Sequence, residues 1–434
     1  MEIRYIKRTL ANGLDVIVHE HRQLPMVAVN VWYHVGSKNE HPGRTGFAHL
    51  FEHLMFEGSQ HYDQGYFQPL QQAGGLLNGS TNPDRTNYWE VVPTGALDLA
   101  LWMESDRMGY LLPALTREKF ENQRDVVLNE RRQNYENRPY GLAGIALAAA
   151  LFAPDHPYHW LTIGSADDLR AASLDEVRDF FSTFYHPANA SLTLAGDIDP
   201  ETGFALAEKY FGEIPPGKVP GPITAASELA ANARLVLEDR VELPRLYLAW
   251  HSPAMFASDD ADLDLAADLI GHGKTSRLYQ SLVYEQQIAT DVVAYQSPRE
   301  ISGVFQIAAT AAPGVSLDDL GPVIREVLAS VATAGPTEAE LERARAQTDA
   351  QFVYRVQTIG GFGGKSDQLN AYNVFHGDPG YFAADRERYD GATRQSIAAA
   401  VNRWLITRPH VAVSVVPLGA SHLALAGSTE VTAS

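Results

Sequence analysis

Two histidines and a glutamate, His49, Glu52 and His53, stand close together in an apolar run, Phe47-Ala48-His49-Leu50-Phe51-Glu52-His53-Leu54-Met55-Phe56. Residues four apart on a helix share a face. At about 100° per residue, His53 falls roughly 40° to one side of His49 and Glu52 roughly 60° to the other. All three polar groups therefore project from one side of an otherwise apolar helix. Burying imidazoles and a carboxylate without partners is costly, so that side needs something to bind. Zn²⁺ suits neutral imidazoles, and the order H-x-x-E-H is a known inverted zinc-site pattern. Glu52 would then stand beside a water that such an ion activates. The competing reading is a pair of core histidines satisfied by hydrogen bonds.

A catalytic zinc takes three protein ligands and keeps a position open. The best third ligand is Glu130, in Val126-Val127-Leu128-Asn129-Glu130-Arg131-Arg132. It follows Val126 by four and Val127 by three, so it shares the stripe that packs inward. The alternative for Glu130 is a solvated or ion-paired carboxylate among Glu121, Arg124, Asp125, Arg131 and Arg132.

The elements that would position these groups repeat along the chain. In the first half, Arg4–Leu10 and Leu14–His19 alternate around Asn12-Gly13, a hairpin signal. Met26–His34 is a third strand, and the histidine helix follows through Gly43-Arg44-Thr45-Gly46. Leu76–Asn82 and Thr86–Pro93 read as extended, and Ala96–Tyr110 and Thr116–Asn137 as helices, the latter capped by Thr116. Ser173-Leu174-Asp175-Glu176 is a capping box, Ala190–Ala195 a strand and Glu201–Phe211 a helix. Prolines and glycines at 213–228 mark a linker. The plan then restarts: Leu24-Pro25 precedes the third strand, and Leu243-Pro244 precedes its counterpart 219 residues later. Asp260–Ile270 takes the place of the histidine helix and carries no histidine. Strands at Val292–Gln296, Val304–Ala311 and Val411–Val416 and helices at Ser316–Ala334, Thr337–Thr358 and Thr393–Leu405 complete the half. The expected class is α+β, with two homologous domains, each a mostly antiparallel sheet with helices packed on it. Their bounds read as 1–212, a linker at 213–228, 229–420, and a frayed tail at 421–434.

Composition narrows the function. The 434 residues include 34 Lys and Arg against 53 Asp and Glu, a net charge of −19, which makes nucleic acid a poor partner. With no cysteine, disulfides, thiolate metal sites and thiol nucleophiles are excluded. No apolar run approaches the roughly 20 residues of a membrane span. Met1-Glu2-Ile3-Arg4-Tyr5 lacks the apolar core of a signal peptide. That fits the cytoplasm for the chain as given, and the periplasm for a precursor trimmed of a leader.

His49-Leu50-Phe51-Glu52-His53, followed after 76 intervening residues by Glu130, resembles the zinc motif of the pitrilysin/insulinase family of peptidases. Further matching stretches are Val35-Gly36-Ser37 with Glu40, Gly43-x-x-Gly46-Phe47-Ala48, Phe56-x-Gly58-Ser59 and Asn78-x-x-Thr81-x-x-Asp84-x-Thr86-x-Tyr88. Weaker similarity runs through Ser276-Arg277-Leu278-Tyr279. The resemblance implies two homologous domains of about 200 residues. It also implies one zinc held by His49, His53 and Glu130, with Glu52 as general base for peptide hydrolysis. Asn78, Gly79, Ser80 and Thr81 would form an edge strand to which a substrate peptide adds; the plainer alternative is an ordinary hairpin strand. Two departures stand out. Active single-chain relatives carry an Arg and a Tyr seven apart in the second half, and Val283 and Thr290 occupy those positions here. That suggests a heterodimer in which a homologous subunit supplies the pair. A helper carboxylate two turns before the third ligand is replaced by Gln123. The expected function is a zinc metalloendopeptidase acting on peptides or unfolded segments; the alternatives are a non-catalytic core subunit of the same fold and a metal-binding module without hydrolytic activity.

Other motifs read plainly. Gly271-His272-Gly273-Lys274-Thr275 has Asp268 where a phosphate loop needs glycine. Gly360-Gly361-Phe362-Gly363-Gly364 reads as a break between helices, Asp155-His156-Pro157-Tyr158-His159 as a turn with exposed imidazoles, and His19 and His21 as surface residues.

Overall fold

The computed structural model describes residues 2–432. Among the described residues, twelve strands form two six-stranded sheets. The first contains β1 (Ile6–Thr9), β2 (Asp15–Glu20), β3 (Met26–Tyr33), β4 (Leu76–Thr81), β5 (Thr86–Pro93) and β6 (Ala190–Gly196), in the order β1-β2-β6-β3-β5-β4. The second contains β7 (Ala233–Asp239), β8 (Arg245–Ser252), β9 (Ala289–Ser297), β10 (Gly303–Ala311), β11 (Val411–Pro417) and β12 (Thr429–Glu430), in the order β12-β7-β11-β8-β10-β9. β2 runs parallel to β6, and β7 runs parallel to β11. The next three pairings are antiparallel in both sheets. Five strands thus correspond one to one, and the chain is a duplication with two α+β sheets.

The compact units are not the contiguous halves 1–212 and 229–420. The first comprises the chain through Asn129 with Thr162–Ile223 and Gln351–Asp385; the second comprises Glu130–Leu161, Thr224–Ala350 and the chain from Arg386 onward. The reason lies in two helices that a local reading passed over. Helix Lys365–His376 packs on β3 and β6, and helix Ala143–Leu151 packs on β11 and β8. Each sheet therefore has one face covered by a segment from the opposite half of the sequence. All of β3 beyond Met26 is buried, as expected for a strand covered on both faces.

Most expected elements stand within a few residues of their bounds. Helix Thr116–Asn137 is Arg117–Arg131 followed by a π turn at Arg132–Glu136. The tail is not frayed throughout: Thr429–Glu430 pairs with β7 beside Leu235 and Val236. His19 is 7% exposed, with Nδ1 2.6 Å from the Arg4 carbonyl, and His156 is buried with Nε2 2.9 Å from Ser227 Oγ; neither is the surface residue expected. Among the described residues no helix is long and apolar enough to cross a membrane.

Candidate metal centre

The histidine helix, Phe47–Leu54, begins without a capping side chain of its own. Its N-cap, Gly46, has φ 88°, a left-handed conformation that glycine adopts without strain. The helix end is satisfied from a distance. Glu40, 4% exposed, accepts hydrogen bonds from Gly46 N at 2.9 Å and Ala48 N at 2.8 Å. A carboxylate there also complements the positive end of the helix dipole. Asp168 holds the approach, accepting from Thr45 N at 3.0 Å and Thr45 Oγ1 at 2.6 Å. Gly46 packs so closely on Gly164 that a side chain at 164 would come within 2.4 Å of its Cα.

Phe47, Ala48, Leu50, Phe51 and Leu54 are buried, and Phe51 stacks against Phe180 with ring centroids 5.8 Å apart. Their packing leaves His49, Glu52 and His53 on the half-buried side. Helix Arg117–Arg131 starts at Thr116, whose Oγ1 accepts from Lys119 N, and buries Phe120 and Val127. Glu130 is carried on the last turn of this helix.

One group among the described residues could hold a metal ion: His49, His53 and Glu130, whose ligand atoms all lie within 4.8 Å of one another. The imidazoles meet edge to face, with centroids 4.9 Å apart. Burial first, and the neighbouring His53 second, draw the His49 pKa down to about 4, so the ring is neutral, the form that binds metal. Two imidazole nitrogens and one carboxylate oxygen, half-buried and gathered from two helices, fit a catalytic zinc's three-ligand set. Glu52, on the same side of the histidine helix, lies between the two ligands in sequence.

β4 is the edge strand of the first sheet. Asn82 N donates to Arg85 O at 2.9 Å, closing the β4–β5 hairpin, and Ser80 faces Asn87 in the register. Bonded pairs alternate in an antiparallel ladder, so the main-chain groups of Leu77, Gly79 and Thr81 point to the open edge. Gly79 N is engaged by Asn78 Oδ1 at 2.8 Å. Asn78, Gly79, Ser80 and Thr81 thus form an edge with partly occupied main-chain donors.

In the second unit, Val283 is a partly buried side chain against the core, and Thr290 is exposed with Oγ1 3.4 Å from Thr310 O. Neither position carries a cation or a phenol. Three functional contacts escaped the sequence reading. Glu40 and Asp168 act on the helix start from six and 123 residues away, and Gln123 donates to Glu57 rather than replacing a carboxylate in isolation. For Glu40 a signal existed: a helix start without Ser, Thr, Asp or Asn needs a partner elsewhere.

Residues 16–153 match the family model described as Insulinase (Peptidase family M16), and residues 171–348 match that of the Peptidase M16 inactive domain. The chain is 30% identical to the zinc protease PqqE of Helicobacter pylori over 356 residues, covering 81% of this chain and 80% of that one. It superposes on the crystal structure of a protease from Helicobacter pylori with a TM-score of 0.87 and 26% identity, over 96% of this chain and 100% of the other. The fold is also that of part of the periplasmic protease PqqL from Escherichia coli, with a TM-score of 0.79 and 19% identity, over 98% of this chain and 49% of the larger one.

Proposed function

The chain belongs to the insulinase family of peptidases, family M16, and from that premise we propose that it is a zinc metalloendopeptidase with Glu52 as its general base. The observation that carries the reading is the convergence of His49, His53 and Glu130 beside Glu52. These three residues would hold the ion. When bound, zinc supplies a Lewis acid that acidifies water and polarises a peptide carbonyl. Glu52 accepts a proton from the attacking water and returns it to the leaving amine. The open edge of β4 binds substrate as an added strand through Leu77, Gly79 and Thr81, and the Asn78 side chain must release Gly79 N for that strand to pair. Main-chain recognition of this kind accepts varied sequences and requires an extended segment, which favours peptides and unfolded chains over folded proteins.

The chain also acts best as one member of a pair. Val283 and Thr290 bring neither the cation nor the phenol that the resemblance leads one to expect there, and a homologous subunit supplies the Arg and the Tyr. The likeness to about half of a larger protease supports a pairing of two such units. A second reading, a non-catalytic core subunit, rests on the same two positions.

Glu52→Gln separates them. The variant is expected to retain one zinc per chain by metal analysis and to lose about 10²–10⁴-fold in peptide turnover. Chelation should abolish wild-type activity, and added zinc should restore it. Turnover at the wild-type rate in the variant sinks the assignment of Glu52. Zinc binding with no cleavage of any extended peptide, alone or with the subunits that co-purify, favours the non-catalytic reading.

A further inference from the structure

The two helices that carry the ligands are joined by a contact outside the ligand set. Glu57 lies four residues beyond His53, just past the histidine helix, in a turn closed by Glu57 N donating to Leu54 O at 3.1 Å. Its Oε1 accepts a hydrogen bond from Gln123 Nε2 at 2.6 Å, and the pair is part-buried. Gln123 stands seven residues before Glu130. Two helical turns return it to within roughly 20° of the same side, about 10 Å along the axis. One turn earlier on the same helix, Lys119 pairs with Asp63 of the loop that follows Glu57. Asp106, on helix Leu97–Ala114, fastens that loop from another side by accepting from Ser59 Oγ and from His61 N at 3.2 Å. The exit of the histidine helix is therefore strapped to the Glu130 helix at two successive turns.

We propose that Glu57 and Gln123 are positioning residues, a clamp that fixes the separation of the helix bearing His49 and His53 from the helix bearing Glu130. The inference rests on the metal-site reading above and goes beyond it by assigning two residues to the site's geometry. A metal site tolerates ligand displacements of only a few tenths of an ångström. Groups hydrogen-bonded to the ligands themselves govern metal affinity by about 10–100-fold, and a contact between the ligand-bearing elements acts on the same geometry one step further out. The pairing needs one donor amide and one acceptor carboxylate but is indifferent to which helix carries which. Two carboxylates would repel, and two aliphatic side chains would leave the helices free to slide. Lys119–Asp63 is more peripheral, since Asp63 is half exposed.

The test uses the full chain and measures zinc affinity by competition with a chromogenic chelator, alongside thermal unfolding of the zinc-free protein. Glu57→Ala and Gln123→Met are each expected to weaken zinc binding about 10-fold, the low end for groups that bond the ligands directly. The zinc-free melting temperature should move by no more than a few degrees, which distinguishes positioning from a general loss of stability. The exchanged pair, Glu57→Gln with Gln123→Glu, should recover most of the lost affinity. Wild-type affinity in both single variants overturns the clamp while leaving the metal site intact, and so does an exchanged pair as weak as the singles. Failure of the wild-type chain to bind zinc overturns the site reading and the clamp with it.

Discussion

The two sheets share strand order and direction, yet the faces that receive the exchanged helices are chemically opposite. On the first sheet, Asn30, Trp32, Asn87, Ser191 and Thr193 meet Ser366, Asp367, Asn370 and Asn373 of helix Lys365–His376. Asn370 Oδ1 accepts from Ser191 Oγ at 2.7 Å and Thr193 Oγ1 at 2.8 Å, while its Nδ2 donates to Asn30 O at 2.9 Å. Asp367 Oδ1 accepts from Trp32 Nε1 at 2.9 Å and Asn87 Nδ2 at 3.1 Å. On the second sheet the corresponding face is Leu237, Ala249, Val411, Val413 and Val415, covered by Ala143, Ala146, Leu147 and Leu151. The other side of each sheet repeats the contrast. Beneath β5, Arg107 pairs with Glu104 and Glu90, all within 1% of full burial, with its guanidinium 3.9 Å over Tyr66 and 4.1 Å over Tyr88. The second half has Ile307 at the position of Glu90 and an apolar core around it. Duplication conserved the backbone plan, while the half that carries the candidate metal centre acquired a polar interior. Hydrogen-bonded interiors fix geometry more tightly than apolar ones, at greater cost when any member is lost.

The largest expected effect of breaking this contrast is at Arg107. Burial above all, then the charge of Glu104, pushes the Glu90 pKa well up, and Arg107 lies closer to Glu104 than to Glu90. Arg107→Leu strands a buried carboxylate and should lower the stability of the first unit by about 3–5 kcal/mol in urea unfolding. Replacing Glu90, Glu104 and Arg107 together by apolar residues should cost far less. A single variant as stable as the wild type means that the cluster is not a closed charge balance.

Next come the two docked helices. Leu147→Ala empties space in an apolar interface and should cost the second unit about 3 kcal/mol. Asn370→Ala leaves its three polar partners buried and should cost the first about 1–3 kcal/mol. The distinguishing measurement is the combination Asn370→Leu, Ser191→Ala and Thr193→Val. Removing both hydroxyl partners with the amide should recover part of the stability, because only the Asn30 carbonyl then loses its side-chain donor and the penalty comes from stranded groups rather than from bonds lost. If the combination is worse than Asn370→Ala, the interface depends on its hydrogen bonds for energy and not only for orientation.

This contrast also explains what could be read from the sequence. The histidine helix, its counterpart at Asp260–Gly271, the Asn12-Gly13 hairpin and the capping boxes at Ser173 and Thr337 are local patterns, and each stands where the spacing placed it. Glu130 was legible because Val126 and Val127 mark its inward stripe. Helix Lys365–His376 was not, because its buried side carries Ser366, Asp367, Asn370 and Asn373 and reads as a solvated face. Helix Ala143–Leu151 failed for the opposite reason: it is apolar nearly all round, so periodicity is absent. Neither pattern says which sheet a helix covers. The exchange of segments 130–161 and 351–385 is decided by contacts between distant residues, as are the reach of Glu40 to Gly46 and the bond of Gln123 to Glu57.

The smallest predicted effect concerns the exception in the second half. The helix Asp260–Gly271 carries carboxylates and no histidine, and two of them are engaged internally: Asp260 with Arg388 and Gln296, and Asp264 Oδ2 with Tyr389 Oη at 2.7 Å. Burial first, then the charge of Asp260, raises the Asp264 pKa from 3.8 to about 7. Folding therefore strengthens proton binding at Asp264, and between those values the unfolded chain binds fewer protons than the folded one. Its contribution to stability is complete below pH 3.8, falls as the pH climbs to about 7 and is level above. Asp264→Asn removes the titrating group and keeps an acceptor for Tyr389. The unfolding midpoint of the variant should therefore gain on the wild type as the pH rises through that window, most near pH 7. The gain is modest because the Asp268 carboxyl, itself raised by burial, is coupled to Asp264. Parallel pH profiles for variant and wild type would show Asp264 to be ionised in the folded chain already, and the second half would then hide a charged pair much as the first does.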